Sequence, residues 1–114
     1  FAFGQFVGKF LQKNPKRIAV IATGGLSHWP GEAKHGTINI PFDKTFLQNL
    51  TAGDHARLTR YTHEEISREA GSGGHEIRTW IALAGAVESW KAELIAYEPV
   101  VPWATGCGLV TFHQ

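Results

Sequence analysis

The run Ile18-Ala19-Val20-Ile21-Ala22-Thr23-Gly24-Gly25-Leu26-Ser27-His28-Trp29-Pro30 decides how the chain is read. It opens with apolar and β-branched residues over the length of one strand, then breaks at two glycines. A short apolar run bounded by turn residues is the pattern of a buried strand, expected here over residues 17–23. Gly24 and Gly25 let the backbone turn sharply or approach another group closely. His28 therefore falls just past the carboxyl end of a core strand, the place where open α/β sheets bind ligands. A second stretch answers the first: Gly71-Ser72-Gly73-Gly74-His75-Glu76-Ile77-Arg78-Thr79-Trp80, a glycine-rich loop running into a helix with an early carboxylate.

Outward from these two stretches, the chain alternates helix and strand signals. Phe3, Phe6, Val7, Phe10 and Leu11 fall at helical spacing and predict an amphipathic helix over residues 2–13, ended by Asn14-Pro15. Residues 24–40 read as a long loop, of a length that is usually functional or disordered. Pro41 starts a helix whose buried face is Phe42, Phe46, Leu47 and Leu50, and a short helix follows over 54–60. Thr62 and Glu65 have capping-box spacing for a helix through Ala70. The helix beginning near His75 carries Ile77, Trp80, Ile81 and Ala84 on its core stripe, with Gly85 as the expected stop. Strands are expected over 92–97 and 108–112, joined by an irregular connection containing Pro99, Pro102 and Thr105-Gly106-Cys107-Gly108. Helix and strand in this order indicate a layered α/β domain, one domain or domain segment spanning residues 1–114.

Composition bounds the function. Hydrophobic residues make up 43% and charged residues 18% of the 114, which fits a folded chain with a modest core rather than a disordered one. The net charge of +1 is too near neutral for a nucleic-acid footprint. No apolar run reaches the roughly 18 residues of a membrane span. One cysteine, Cys107, cannot form an internal disulfide, and a reducing, cytoplasmic setting fits it. The absence of methionine, with a start that resembles the middle of a helix, points to a segment of a longer protein, with a processed start or an unrecorded residue as the alternatives.

Several side chains can carry chemistry. A histidine after a strand is often plain polar surface, yet the strand-end position and paired glycines make His28 a candidate base or metal ligand. Ser27 beside it lacks the glycine that a nucleophile elbow needs two places on, where Trp29 stands. Glu76 in a first helical turn is favoured by the helix dipole. It shares a face with Trp80 and Leu83, so partial burial is expected, and a buried charge needs a metal or a partner. The Gly71–Gly74 loop could hold an anion on its amides, although it is neither a Walker loop nor a dinucleotide fingerprint. His35, His55, His63, His75 and His113 have no metal-ligand spacing and read as surface residues; Cys107 reads as a small buried hydrophobe.

The combination Ala22-Thr23-Gly24-Gly25-Leu26-Ser27-His28, Ile38-Asn39, Phe42-Asp43, Gly73-Gly74-His75-Glu76-Ile77-Arg78-Thr79-Trp80-Ile81 and Gly85-Ala86 resembles the class III extradiol ring-cleavage dioxygenases. Within them it looks most like the C-terminal part, about 40%, of the catalytic β subunits that act on protocatechuate. The resemblance implies an α/β domain with a central mixed sheet and extradiol cleavage of a catecholic aromatic acid by O2 and non-haem Fe(II), giving a semialdehyde acid. It assigns His28 as an acid/base outside the metal shell and Glu76 as the carboxylate of a 2-His-1-carboxylate iron site. The family's two iron-binding histidines lie in its N-terminal half, and nothing in this chain matches those segments. The expected partners are therefore the catecholic substrate, O2 and an N-terminal half, or another chain, that completes the site in an oligomer; no nucleic acid or membrane is expected. Two other functions compete: a non-catalytic binding or assembly domain without a complete metal site, and a hydrolase using Ser27 and His28, which needs a buried acid behind the histidine and an oxyanion hole.

Overall fold

The computed structural model describes residues 1–114. The chain forms α1 (Ala2–Leu11), α2 (Ile40–Thr51), α3 (His55–Leu58), α4 (His63–Ala70), a 3-10 turn (Gly73–Glu76) running into α5 (Ile77–Ala86), then β1 (Lys91–Val100) and β2 (Thr105–His113). Local chemistry accounts for the helix starts. The Asn39 side chain accepts from the Phe42 amide and Pro41 stands in the first turn of α2. Asp54 caps α3, and Thr62 caps α4 by accepting from the Glu65 amide at 3.1 Å. The apolar stripes of α2, α4 and α5 meet in one core that contains Phe46, Leu47, Leu50, Leu58, Ile66, Ile77 and Trp80, closed from the loop side by Leu26. No helix is long and apolar enough to cross a membrane.

The fold is α/β, but its sheet is a two-stranded antiparallel hairpin, not a central mixed sheet. Lys91 lies opposite His113 and Val100 opposite Thr105, with an irregularity between Leu94 and Ala96. The strands run further than the sequence suggests. Thr105–Cys107, expected in an irregular connection, pairs with Glu98–Val100, and the turn is confined to Val101–Trp103 and Ala104, which takes φ +52°.

The expected strand over residues 17–23 does not form. Arg17 to Ala22 make no backbone–backbone hydrogen bond, and Ile18, Val20 and Ile21 are 45%, 41% and 80% exposed. A strand is stabilised by its ladder, and no other segment of the chain lies alongside to supply one. In its place is an apolar cleft of about 610 Å³ between this segment, α5 and β2, lined by Leu83, Val87, Trp90 and Leu109 among others. Only the end of the segment is tied down: the Thr79 hydroxyl donates to the Thr23 carbonyl at 2.8 Å, and the Trp80 indole N–H to the Gly24 carbonyl at 3.1 Å.

Helix α1 departs from its expected orientation. Its phenylalanine stripe faces solvent, with Phe3, Phe6 and Phe10 at 71%, 69% and 66% exposure. The buried face is Gly4 and Gly8, packed so closely on α5 that a Cβ at either would overlap the Ala82 or Ala86 carbonyl. Gly85 likewise does not stop α5, which continues to Ala86; it admits the Phe1 backbone. Close helix approach through small residues wins the inner face, and the larger apolar face is left uncovered.

Candidate active site

The site is built on the turn Leu26-Ser27-His28, whose backbone is fully paired. Leu26 N donates to Gly106 O at 2.8 Å and Gly106 N to Ser27 O at 3.1 Å, so the turn extends the start of β2. His28 N donates to Ala70 O at 2.8 Å, and Gly73 N to His28 O at 3.2 Å. Ser27 N donates to Asp43 Oδ1 at 2.8 Å. The Leu26 carbonyl remains, and the His28 ring takes it, with Nδ1 at 2.8 Å. A carbonyl only accepts, so Nδ1 carries a proton, which leaves Nε2 as the lone-pair nitrogen whenever the ring is neutral.

His28 Nε2 points at Glu76, 3.9 Å from Oε2, with the histidine side chain 16% and the glutamate 48% exposed. The two residues singled out in the sequence thus share one site. Glu76 is more open than its helical face suggested, because it ends the 3-10 turn and stands ahead of α5. Its Oε2 accepts from the Gly25 amide at 2.5 Å, while Oε1 takes no protein hydrogen bond. Glycines make this meeting possible. Gly24 has φ +134°, and a Cβ there would strike the Glu76 side chain; a Cβ at Gly73 would overlap the His28 imidazole.

Other sequence expectations meet different outcomes. The Gly71–Gly74 loop is no anion cradle: Gly73 N and Gly74 N bond His28 O and Gly71 O, and Ser72 N bonds Glu32 Oε1 at 3.0 Å. The Ser72 hydroxyl and amide hold the Glu32 carboxyl below its ordinary range. His75 is not a plain surface residue. Its Nε2 lies 2.8 Å from Ser67 Oγ, its ring stacks on His63 at 4.4 Å, and its Nδ1 is buried without a partner. Burial first, then His63 and Arg78, lowers its pKa. Cys107 is half-buried, and burial pushes its thiol up. Ser27 is fully buried with its hydroxyl on Asp43 Oδ2 at 3.0 Å and accepting from Asn39 N at 2.8 Å, so it is fixed structure and no nucleophile facing His28.

Sequence reasoning gave no role to Asp43 and Tyr97. Asp43 is fully buried, and Tyr97 Oη donates to its Oδ2 at 2.8 Å. Burial raises the Asp43 pKa against the opposing effect of these donors, and burial with the Asp43 hydrogen bond raises that of Tyr97. The sequence signal was present: residues 43, 46, 47 and 50 recur at the spacing of one helical face.

No group of three His, Cys, Asp or Glu residues is placed to hold a metal ion. Glu76, with one free carboxylate oxygen, fits one corner of a 2-His-1-carboxylate centre and does not make a whole one.

The chain is 27% identical to a 2,3-dihydroxyphenylpropionate/2,3-dihydroxicinnamic acid 1,2-dioxygenase 1 of Dechloromonas aromatica, over 97% of this chain and 50% of the relative. It is 32% identical to the like-named dioxygenase of Paraburkholderia phymatum, again over 97% of this chain and 50% of the relative, and 29% identical to that of Azotobacter vinelandii over the same shares. The chain spans about half the length of the curated relatives it matches. A family match covers residues 1–108, from α1 through the His28–Glu76 site and into β2. The chain therefore belongs to the LigB family, described as the catalytic LigB subunit of aromatic ring-opening dioxygenase.

Proposed function

We propose that residues 1–114 form part of the catalytic domain of an extradiol dioxygenase that opens the ring of a catechol bearing an acidic side chain. The observation that carries this reading is the orientation of His28: its Nε2 faces Glu76 Oε2 at 3.9 Å while Nδ1 is hydrogen-bonded to Leu26 O. Glu76 is the carboxylate ligand of a non-haem Fe(II), with two histidines supplied from outside these residues. When bound, the iron would gather the catechol and O2 side by side, so that proximity lowers the barrier.

The chain's own residues handle position and protons. The Gly25 amide fixes Oε2 of Glu76 and leaves Oε1 to face outward. His28 Nε2 accepts a phenolic proton from the substrate and returns it as the ring opens beside the diol, as a positioned general base and acid does. The turn around His28 has no unpaired backbone group, so the base is held in place before substrate arrives. The relatives are named for 2,3-dihydroxyphenylpropionate, which favours a substrate of that type over protocatechuate. A reducing cytoplasmic setting, where Fe(II) is kept and Cys107 stays a thiol, completes the reading.

The test is ring opening by the complete, Fe(II)-loaded protein, followed by the visible absorbance of the conjugated product and by O2 uptake. Turnover of 2,3-dihydroxyphenylpropionate that is lost in Glu76→Ala and falls by about 10²–10⁴-fold in His28→Ala is expected. Full activity in Glu76→Ala would remove these residues from the active site and leave a non-catalytic assembly role.

A further inference from the structure

Asp43 is fully buried and has no lysine, arginine or histidine in ion-pair contact. A carboxylate in that position is costly unless donors satisfy it. Three do: Ser27 N at 2.8 Å, Ser27 Oγ at 3.0 Å and Tyr97 Oη at 2.8 Å. Two of the three belong to the residue next to His28.

The Leu26–Ser27 peptide connects this carboxylate to the imidazole. A peptide unit is planar and trans, so its N–H and C=O point in opposite directions. At one end the Ser27 N–H meets Asp43 Oδ1; at the other the Leu26 C=O accepts the proton on His28 Nδ1. Hydrogen bonds joined in such a chain polarise and strengthen one another. We propose that Asp43 is a positioning residue for His28, acting through the Leu26–Ser27 peptide to hold the imidazole with its proton on Nδ1 and its lone pair on Nε2.

The proposal rests on the reading of His28 as the acid/base. The arrangement resembles a carboxylate–histidine pair with one peptide bond interposed. Asp43 orients the peptide, the peptide orients the ring, and the ring presents Nε2 to the space beside Glu76. Tyr97 serves a different end: from β1 it donates to the second carboxylate oxygen and makes no hydrogen bond to the peptide or to His28.

The experiment uses the complete protein labelled with 15N-histidine. Solid-state NMR reads each ring's tautomer from its nitrogen shifts, and the His28 signals are identified by difference from His28→Gln. The wild-type ring is expected in the Nδ1–H form. In Asp43→Ala the main His28 population should move to the Nε2–H form, and Asp43→Asn, a weaker neutral acceptor of the same size, should fall between. Steady-state rates with a catecholic acid should show kcat reduced by roughly 10- to 100-fold in Asp43→Ala, as for a lost orienting partner behind a functional imidazole, with KM and iron content unchanged. Tyr97→Phe should leave tautomer and kcat as in the wild type.

A folded Asp43→Ala with the wild-type tautomer and kcat would overturn the proposal, as would a loss of iron and a rise in KM equal to the fall in kcat. Should Asp43→Ala not fold, Asp43→Asn decides: a mixed tautomer with reduced kcat supports the relay, and wild-type values of both refute it. Failure of the acid/base reading is seen separately, as full turnover by His28→Gln, whereas the tautomer shift is read without turnover.

Discussion

Gly73→Ala puts one methyl group against the ring of His28, and its effect can be worked out from the surroundings. Gly73 has no positive φ and lies in the 3-10 turn, so its backbone accepts alanine. That substitution alone would stabilise by about 0.4–1 kcal/mol through the unfolded state. The new Cβ, however, overlaps Nε2, Cδ2 and Cε1 of His28. The ring has no free route of escape, because Nδ1 is bonded to Leu26 O and the His28 backbone is clamped by Ala70 O and Gly73 N. Overpacking of this kind costs about 1–3 kcal/mol, and swinging the ring away instead forfeits a hydrogen bond of about 1 kcal/mol. The net expectation is a loss of about 1–2 kcal/mol. In a His28→Ala background the clash is gone, and the same change should stabilise by about 0.4–1 kcal/mol. Denaturant melts of wild type, both single variants and the double variant give the coupling directly. A coupling of at least about 1 kcal/mol supports the geometry, and additivity within about 0.5 kcal/mol would refute it.

Further outcomes follow from the uncovered surface and the buried carboxylate. Residues 1–114 expressed alone should bind an apolar dye through the Phe3, Phe6 and Phe10 face and the cleft beside residues 17–22, and the complete protein should not; equal dye binding by both would mean that nothing covers this face. Burial raises the folded-state pKa of Asp43 above the ordinary aspartate value of about 3.9. The folded state therefore binds more protons than the unfolded state over a window opening at that value, and the carboxyl's contribution to stability falls as pH rises through the raised folded pKa. The stability difference between wild type and Asp43→Asn should accordingly shrink across that window and level off above it; a difference that grows with pH would contradict the burial argument.

Much of the local structure was legible in the sequence because its causes are local. Thr62 and Glu65 announce the start of α4 by spacing alone, and Asn39 with Pro41 does the same for α2. The meeting of His28 and Glu76 was legible because glycines flank both, and glycine is what two side chains need where a Cβ would otherwise stand between them. What was not legible depends on neighbours. The apolar run over 17–23 has strand character, yet pairing requires a second segment, and none of these residues supplies it. The phenylalanines of α1 mark an apolar face correctly, but Gly4 and Gly8 allow a closer fit to α5, and packing density decided which face turned inward. Asp43 entered the sequence reading only inside the Phe42-Asp43 motif, with no role of its own. Its register with Phe46, Leu47 and Leu50 was the signal that it is buried.

The most direct test of the central claim is the iron content of two variants of the complete protein, measured by metal analysis after anaerobic Fe(II) loading. If Glu76 is a ligand and His28 acts on protons beside the metal, Glu76→Ala should lose its iron while His28→Ala keeps a wild-type stoichiometry. Iron lost from His28→Ala and retained by Glu76→Ala would contradict the assignment of both residues.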